Sequence, residues 1–397
     1  MQEAVIVAGV RTAIGRVGGA FKNIEVDYLA AHVIREVLNR SSIPDQAVDE
    51  VIFGHTKQSS DNPNLARLAL LRANMSEEVP AYTVHRQCGS ALTALNNAVQ
   101  AIWAGTSEVV MAGGAESMST APYYLRNARY GYRMGNAELL DSNTESQPRC
   151  QPVDRYGHLT MGMTAENLAE KYNISRQEQD EFALLSQERA LHAIESGLFK
   201  EEIVPCEIKE KKGVSIVETD EHPRATSMAQ LAKLPPVFKE GGTVTAGNSS
   251  GRNDAAAVVM VTTPEKAQAF GLRPLARIIG MGAKGVQPQF MGIGPVPATQ
   301  AALKMAGLTL NQIDLIELNE AFAAQSLAVI KELALDMAKT NVNGGAIALG
   351  HPLGATGTII LLKLINELRR KGKRYGLATM CIGGGQGIST IVEHLVN

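Results

Sequence analysis

Val48-Asp49-Glu50-Val51-Ile52 and Ile313-Asp314-Leu315-Ile316-Glu317 read alike, and the chain around each runs in parallel. Upstream of the first, Ala4-Val5-Ile6-Val7 is a short β-branched run. A helix pattern follows, with Asp27 as expected N-cap and Leu29, Ala30, Val33, Ile34, Val37 and Leu38 on one face. Val51-Ile52-Phe53 is a strand, another ends near Val84, and a helix with apolar Leu92, Leu95, Val99 and Ile102 starts after Cys88-Gly89. Val109-Val110-Met111 is expected to be a strand closing on Gly113-Gly114. The second stretch begins at Ala276-Arg277-Ile278-Ile279. A helix after Pro297, a strand at Leu315-Ile316-Glu317, a helix over about 321–333, a helix after Gly357 and a strand over 376–380 follow. That last strand also ends in glycines, Gly383-Gly384-Gly385. Strand–helix alternation predicts α/β layers. The likeness of the two stretches predicts an internal duplication.

Between them, residues 120–247 are rich in Arg, Asn, Gln and Tyr, and prolines break the alternation. One helix is well marked there, opened by the capping box Ser175-Arg176-Gln177-Glu178 and stopped at Gly197. Such an insertion is a lid, a ligand-binding subdomain or a surface elaboration. The expected domains are residues 1–119 with 248–272, the insertion 120–247, and residues 273–397.

A chain of 397 residues is too long for one compact core. Its formal net charge of -2 gives no basic excess, so no nucleic-acid partner is expected. No uncharged apolar run has the length of a membrane span. The start, Met1 to Val7, runs into a strand without a secretory signal, and the end, Leu395-Val396-Asn397, is no peroxisomal address. Cys88, Cys150, Cys206 and Cys381 are far apart and form no CxxC pair, which points to neither zinc nor a disulfide framework. A cytoplasmic setting is expected.

Three elements carry chemistry. Cys88, in Val84-His85-Arg86-Gln87-Cys88-Gly89-Ser90-Ala91, stands between a strand and a helix start. Free N–H groups and the helix dipole there are expected to lower a thiol pKa; a small core residue is the other reading. In residues 341–357 five glycines and a proline surround His351. So much glycine is costly unless backbone must approach something closely, and a histidine held there is a candidate base. The block has no GxGxxG fingerprint, so no dinucleotide loop is indicated. Third, Cys381 directly follows a strand and precedes Ile382-Gly383-Gly384-Gly385-Gln386-Gly387, whose bare N–H groups can form an oxyanion hole.

Taken together, VHRQCGS, NEAFA at 319–323, NVNGGAIALGHPLGATG and CIGGGQG closely resemble the signature blocks of thiolases. GTVTAGNSSG at 242–251 resembles the block where that family's inserted loop returns to the core, and the likeness covers essentially the whole chain. The resemblance implies two α/β halves stacked as five layers, αβαβα, with a loop domain over the active site, in a homodimer or homotetramer. It implies Cys88 as acylated nucleophile, His351 as its base and Cys381 as acid/base at the α-carbon of acetyl-CoA. Asn319 would hold a water at the enolate oxygen, and the N–H groups of Cys88 and Gly383 would surround the acyl-enzyme carbonyl. Arg224, Ala246 and Ser250 match positions contacting the pantetheine arm or nucleotide of CoA. Met161 matches a position lining the acyl pocket, and Ala321 and Phe322 of NEAFA fall at the substrate. No metal or redox cofactor is implied; acetyl-CoA, acetoacetyl-CoA and CoA are the small-molecule partners.

Departures exist. The usual nucleophile block reads CGSG, and here Ala91 is the last residue. The usual return block reads NASGLNDGAAA, and here it is Asn248-Ser249-Ser250-Gly251-Arg252-Asn253-Asp254-Ala255-Ala256-Ala257. The lost glycines, at Ala91 and Ala255, are expected to bear on pocket shape. A ketoacyl synthase would use one Cys with His-His or His-Asn, against which Cys381 and NEAFA stand. A non-catalytic lipid- or CoA-binding relative would have lost one of Cys88, His351 and Cys381. Within thiolases the blocks look closer to the short-chain, acetoacetyl-CoA type than to degradative 3-ketoacyl-CoA enzymes. Two reactive cysteines at one site also raise a reversible Cys88–Cys381 disulfide, which needs Cα atoms within roughly 7 Å.

Overall fold

Apolar runs that leave water must pair their backbone groups with one another. The computed structural model describes residues 2–210 and 213–395. Its frame strands are β1 (Val5–Arg11), β2 (Glu50–Gly54), β3 (Ala81–Val84), β4 (Val109–Ser117), β5 (Asn253–Thr262), β6 (Ala276–Gly285), β7 (Leu315–Leu318), β8 (Tyr375–Ile382) and β9 (Gln386–Glu393). The main helices are α1 (Val26–Ser41), α2 (Leu65–Arg72), α3 (Ser90–Ala104), α4 (Met161–Lys171), α5 (Arg176–Glu195), α6 (Pro295–Ala306), α7 (Ala323–Leu333) and α8 (Thr356–Lys371).

The duplication is explicit in the sheets. The N-terminal half has the order β1-β5-β4-β2-β3 and the C-terminal half β6-β9-β8-β7. Thr340 bridges in parallel to Ile316 on the free side of β7, where β3 stands in the other half. Directions repeat too: β4/β5 and β8/β9 are antiparallel, β2/β4 and β7/β8 parallel. The sheets join at their edges, Val5 opposite Arg277 and Ile6 opposite Ala276. α1 and α2 cover one outer face, α3 and α8 lie together between the sheets, and α6 and α7 cover the other outer face, making five layers.

The paired stretches explain themselves at atomic level. Asp49 Oδ2 accepts the N–H groups of Glu108 and Val109 at 2.6 and 2.9 Å. Asp314 Oδ2 accepts those of Arg374 and Tyr375 at 3.1 and 2.9 Å. Each aspartate pins the entry of its strand to the parallel neighbour.

Local expectations were mostly met; α6 begins at Pro295 rather than after Pro297, Cys381 lies inside β8 rather than after it, and two further corrections concern α1 and β4. Leu92, Leu95, Val99 and Ile102 of α3 are fully buried, as their spacing predicts. The capping box at Ser175 and Glu178 opens α5, and Gly197 follows its end with φ +69. The N-cap of α1, however, is Glu25, without a side-chain cap bond. Asp27 lies in the first turn, buried, and pairs with Arg72 instead. β4 also does not stop at Gly113-Gly114 but runs on to Ser117. A side chain at Gly114 would sit 1.9 Å from the Gly354 carbonyl oxygen, so bareness here serves close backbone packing, not strand termination.

Between β4 and β5 the chain makes its excursion, residues 118–252. Though rooted in the N-terminal half, this segment is bolted to the other. Ser186 of α5 donates to Glu320 at 2.6 Å, and Arg189 donates to the carbonyls of Thr340 and Met337 at 2.7 and 2.9 Å.

Candidate active site

Cys88 occupies the turn from β3 into α3. The preceding Gln87 has φ +45, an uncommon conformation for a residue with a side chain. Ser90 holds it there: its hydroxyl donates to the Gln87 carbonyl at 2.6 Å and accepts the Arg86 N–H at 2.9 Å. His351 lies in the loop before α8, the topological counterpart of the Cys88 turn before α3. Nucleophile and base candidates therefore come from matching positions of the two halves.

The imidazole is oriented by its surroundings. The Thr356 hydroxyl donates to the Pro352 carbonyl at 2.9 Å, so at the 2.7 Å contact with His351 Nδ1 it must accept. Nδ1 thus carries the proton and Nε2 keeps its lone pair, 3.4 Å from Asn319 Nδ2. The His351 N–H is fixed separately by Asn253 Oδ1 at 2.9 Å. Burial pushes this imidazole down to about 4, against the opposing pull of Glu116.

Burial also decides the thiols, and overturns the expected lowering at Cys88. Cys88 keeps some surface on the cavity wall, yet the protein around its sulfur raises it to about 11. The N–H groups of Gly383 and of Cys88 itself, and the charge of Lys57, act the other way without prevailing. Cys381 is raised well above its usual value by burial and then by Cys88. At Cys88 loss of water outweighs the neighbouring N–H groups and the Lys57 charge. All four cysteines are free thiols, Cys88 and Cys381 among them.

The predicted residues divide into three groups. Cys88, His351, Gly383, Met161, Ser250, Ala321 and Phe322 share the wall of one cavity of about 270 Å³. Asn319 and Cys381 lie just behind it, both buried; Cys381 packs among Met161, Ala321 and Phe322. Arg224 and Ala246 are exposed and do not line the cavity. Gly383 opens the short connection from β8 to β9, and Gly384 and Gly385 complete it with φ of +85 and +83. Only glycine adopts two such residues in succession at little cost, and the result turns a backbone N–H toward the Cys88 sulfur.

Comparison with known proteins agrees with this architecture. Residues 4–265 match the thiolase N-terminal domain and residues 272–394 the thiolase C-terminal domain. The chain is 48% identical to an acetyl-CoA acetyltransferase of Syntrophomonas wolfei, covering 99% of this chain and 100% of the relative. The crystal structure of the Bacillus anthracis acetyl-CoA acetyltransferase superimposes with a TM-score of 0.97 at 48% identity, covering 100% of this chain and 99% of that one. Human mitochondrial 3-ketoacyl-CoA thiolase in complex with CoA gives 0.95 at 46% identity, over 99% and 98%.

The chain belongs to the thiolase family. It is an acyl-transferring enzyme with the thiolase fold.

Several residues of this thiolase's site escaped the sequence. Cys150, read only as a distant thiol, lines the cavity, its sulfur 2.9 Å from where a Cβ on Gly383 would stand. Lys57 and Arg252 line it as well. Thr356 and Asn253 lie inside quoted blocks, but nothing local marks them as supports of His351. Glu116 is fully buried and accepts the N–H groups of Lys57 and Gly354 at 3.1 and 2.9 Å, tying two site loops together. Burial works against that carboxylate, but His55, Thr56 and Lys57 bring it down to about 2. Ala91 and Ala255, by contrast, are fully buried away from the cavity wall, so the two lost glycines do not shape it.

Proposed function

We propose that this thiolase catalyses the reversible condensation of two acetyl-CoA to acetoacetyl-CoA and CoA through an acyl-enzyme on Cys88. The observation that carries the reading is the meeting of Cys88, the bare Nε2 side of His351 and the Gly383 N–H at one largely apolar cavity. The names of the relatives support the substrate.

With the thiol near 11 and the imidazole near 4, the resting pair is neutral. His351 Nε2 takes the Cys88 proton as the sulfur attacks the acetyl thioester, so charge forms only when the oxyanion can be received. The N–H groups of Cys88 and Gly383 receive it; losing such a donor costs roughly two to three orders of magnitude in rate. CoA leaves with the proton. A second acetyl-CoA then loses an α-proton to Cys381, whose own thiol proton passes first to the neutral His351; Cys381 lies behind Met161, Ala321 and Phe322. Its enolate oxygen is held on the His351 and Asn319 side; Asn319 Oδ1 has no partner among the described residues. The carbanion attacks the acetyl carbonyl, releasing Cys88, which takes its proton back from His351. Each step is carried by side chains and backbone, with CoA as substrate and product and no metal or redox cofactor.

Ser250, Met161, Ala321 and Phe322 contact the pantetheine arm and the acyl group, while exposed Arg224 and Ala246 suit the nucleotide end outside the cavity. We place the enzyme in the cytoplasm as a dimer or tetramer. Exposed Tyr130 and Met134, on the excursion, suit self-association. No described helix is long and apolar enough to cross a membrane. Thiolysis rates for acetoacetyl-CoA against a long-chain 3-ketoacyl-CoA test the reading: acetoacetyl-CoA is expected to win. Cleavage of the long chain alone overturns it.

A further inference from the structure

The cavity wall carries two formal charges, both positive. Lys57 and Arg252 line it, and no aspartate or glutamate does so among the described residues. Lys57 is only 8% exposed. Its ammonium reaches the Ser146 hydroxyl at 2.6 Å and the Ser142 carbonyl at 3.3 Å, and no described carboxylate pairs with it. A buried cation whose hydrogen-bond partners are all neutral retains capacity for an anionic one.

The charges of Glu116 and Asp141 act on the Lys57 ammonium from a distance, but the hydrogen bonds of both carboxylates go to other groups. Glu116 stands behind the wall, held by His55 at 2.9 Å, the Gly354 N–H at 2.9 Å and the Lys57 backbone N–H at 3.1 Å. Asp141 caps the following turn, accepting the Asn143 N–H at 2.9 Å and the Thr144 hydroxyl at 2.7 Å. Its 3.8 Å separation from Arg252 is too long for a hydrogen bond. Arg252 thus puts a second, more exposed cation on the wall that carries Lys57.

We propose that Lys57 and Arg252 form a receptor for a carboxylate at the far end of the acyl chain, so that this thiolase accepts 3-ketoacyl-CoA thioesters ending in a carboxylate. The inference rests on the thiolase reading above and leaves its chemistry unchanged. Cys88 attacks the C3 carbonyl and the C2–C3 bond breaks. The electron pair stays on C2, which is protonated to give acetyl-CoA, and CoA then takes the carboxyacyl group from Cys88. An anion from CoA itself is the alternative source of charge. Lys57 lines the same cavity wall as Cys88, Cys150 and Met161, which places it beside the acyl group rather than at the nucleotide.

The test compares thiolysis of six- and eight-carbon 3-ketoacyl-CoA thioesters with a terminal carboxylate against methyl-ended chains of equal length, with acetoacetyl-CoA alongside. The wild-type enzyme is expected to favour the carboxylate at one or both lengths by at least about tenfold in kcat/KM. Lys57→Met should lower kcat/KM for the carboxylate substrate on the order of 10²-fold more than for its neutral partner, and Lys57→Arg should restore part of the preference. Arg252→Leu should cost less, since its side chain is 46% exposed. Equal or better cleavage of the neutral chains by wild-type enzyme overturns the proposal, and that measurement needs no variant to fold. So does a Lys57→Met loss that is equal for all substrates and appears as a raised KM for CoA, which would assign the charge to CoA. If acetoacetyl-CoA is cleaved and the carboxylate chains are not, only this inference fails; if nothing is cleaved, the thiolase reading fails first.

Discussion

The N-terminal half leaves its sheet after β4 and returns at β5 only after residues 118–252; the C-terminal half makes the same connection, β8 to β9, through Gly383, Gly384 and Gly385. Strand order, directions and the aspartate pins at Asp49 and Asp314 are otherwise shared. One topological position is thus filled in two ways. The long version supplies Met161 and Cys150 to the cavity wall, and the short one presents an N–H to the nucleophile's sulfur. The helix starts show the same division, Cys88 before α3 and His351 before α8. A duplicated frame became one asymmetric site because each half kept a different part of the reaction.

The largest expected effect tests that division at the nucleophile. Cys88→Ala should abolish labelling by radioactive acetyl-CoA and lower turnover by roughly 10⁴–10⁶-fold. Label found by peptide mapping on Cys150 instead would move the nucleophile from the α3 turn into the excursion and break the comparison. Next comes Cys381→Ala, expected to lose about 10²–10⁴-fold in condensation and in exchange of acetyl-CoA α-protons with deuterium. Acetyl transfer onto Cys88 should survive in that variant. Near-normal acetoacetyl-CoA synthesis would make Cys381 a structural cysteine, leaving the C-terminal half with only the base and the cradle.

A smaller effect is expected at the support of His351. Thr356→Val removes the acceptor that fixes Nδ1–H, and activity should fall by about 10- to 100-fold. In the wild-type enzyme a neutral imidazole is required, so kcat/KM should hold through the usual histidine range and fall only as pH drops through about 4. An acid limb near 6.5 would show that His351 is not shielded as described. Smallest are the paired aspartates. Asp49→Ala and Asp314→Ala should each lower local stability by about 1.5–3 kcal/mol, read as faster amide exchange at residues 108–109 and 374–375 respectively. Unequal costs would reveal which half depends more on the excursion's bolts.

Much of this was legible because it is local. The aspartate-led strands, the α3 spacing, the capping box at Ser175 and the glycines after Cys381 each write their structure within a few residues. What stayed hidden depends on partners far along the chain. Cys88 gives no sign that burial will outweigh the helix start. Cys150 and Lys57 look like ordinary loop residues until the excursion folds back, and Thr356 supports His351 only through a carbonyl and a ring brought together by the turn. Glycines misled in both directions. Those at 113–114 look like a strand end but are packing, and those missing at Ala91 and Ala255 suggested a reshaped pocket they do not touch.

The place of β5 in the sheet has a consequence for synthesis on the ribosome. It sits between β1 and β4, yet it is the last strand of its half to be made. While residues 118–252 are being translated, for on the order of ten seconds, β1 and β4 each present an unpaired edge rich in valine. In the C-terminal half β8 is paired by β9 at once, and only the edge of β6 waits for β9, over the shorter stretch 286–385. The nascent N-terminal half is therefore where a chaperone is most needed, and where a stalled or truncated chain aggregates first.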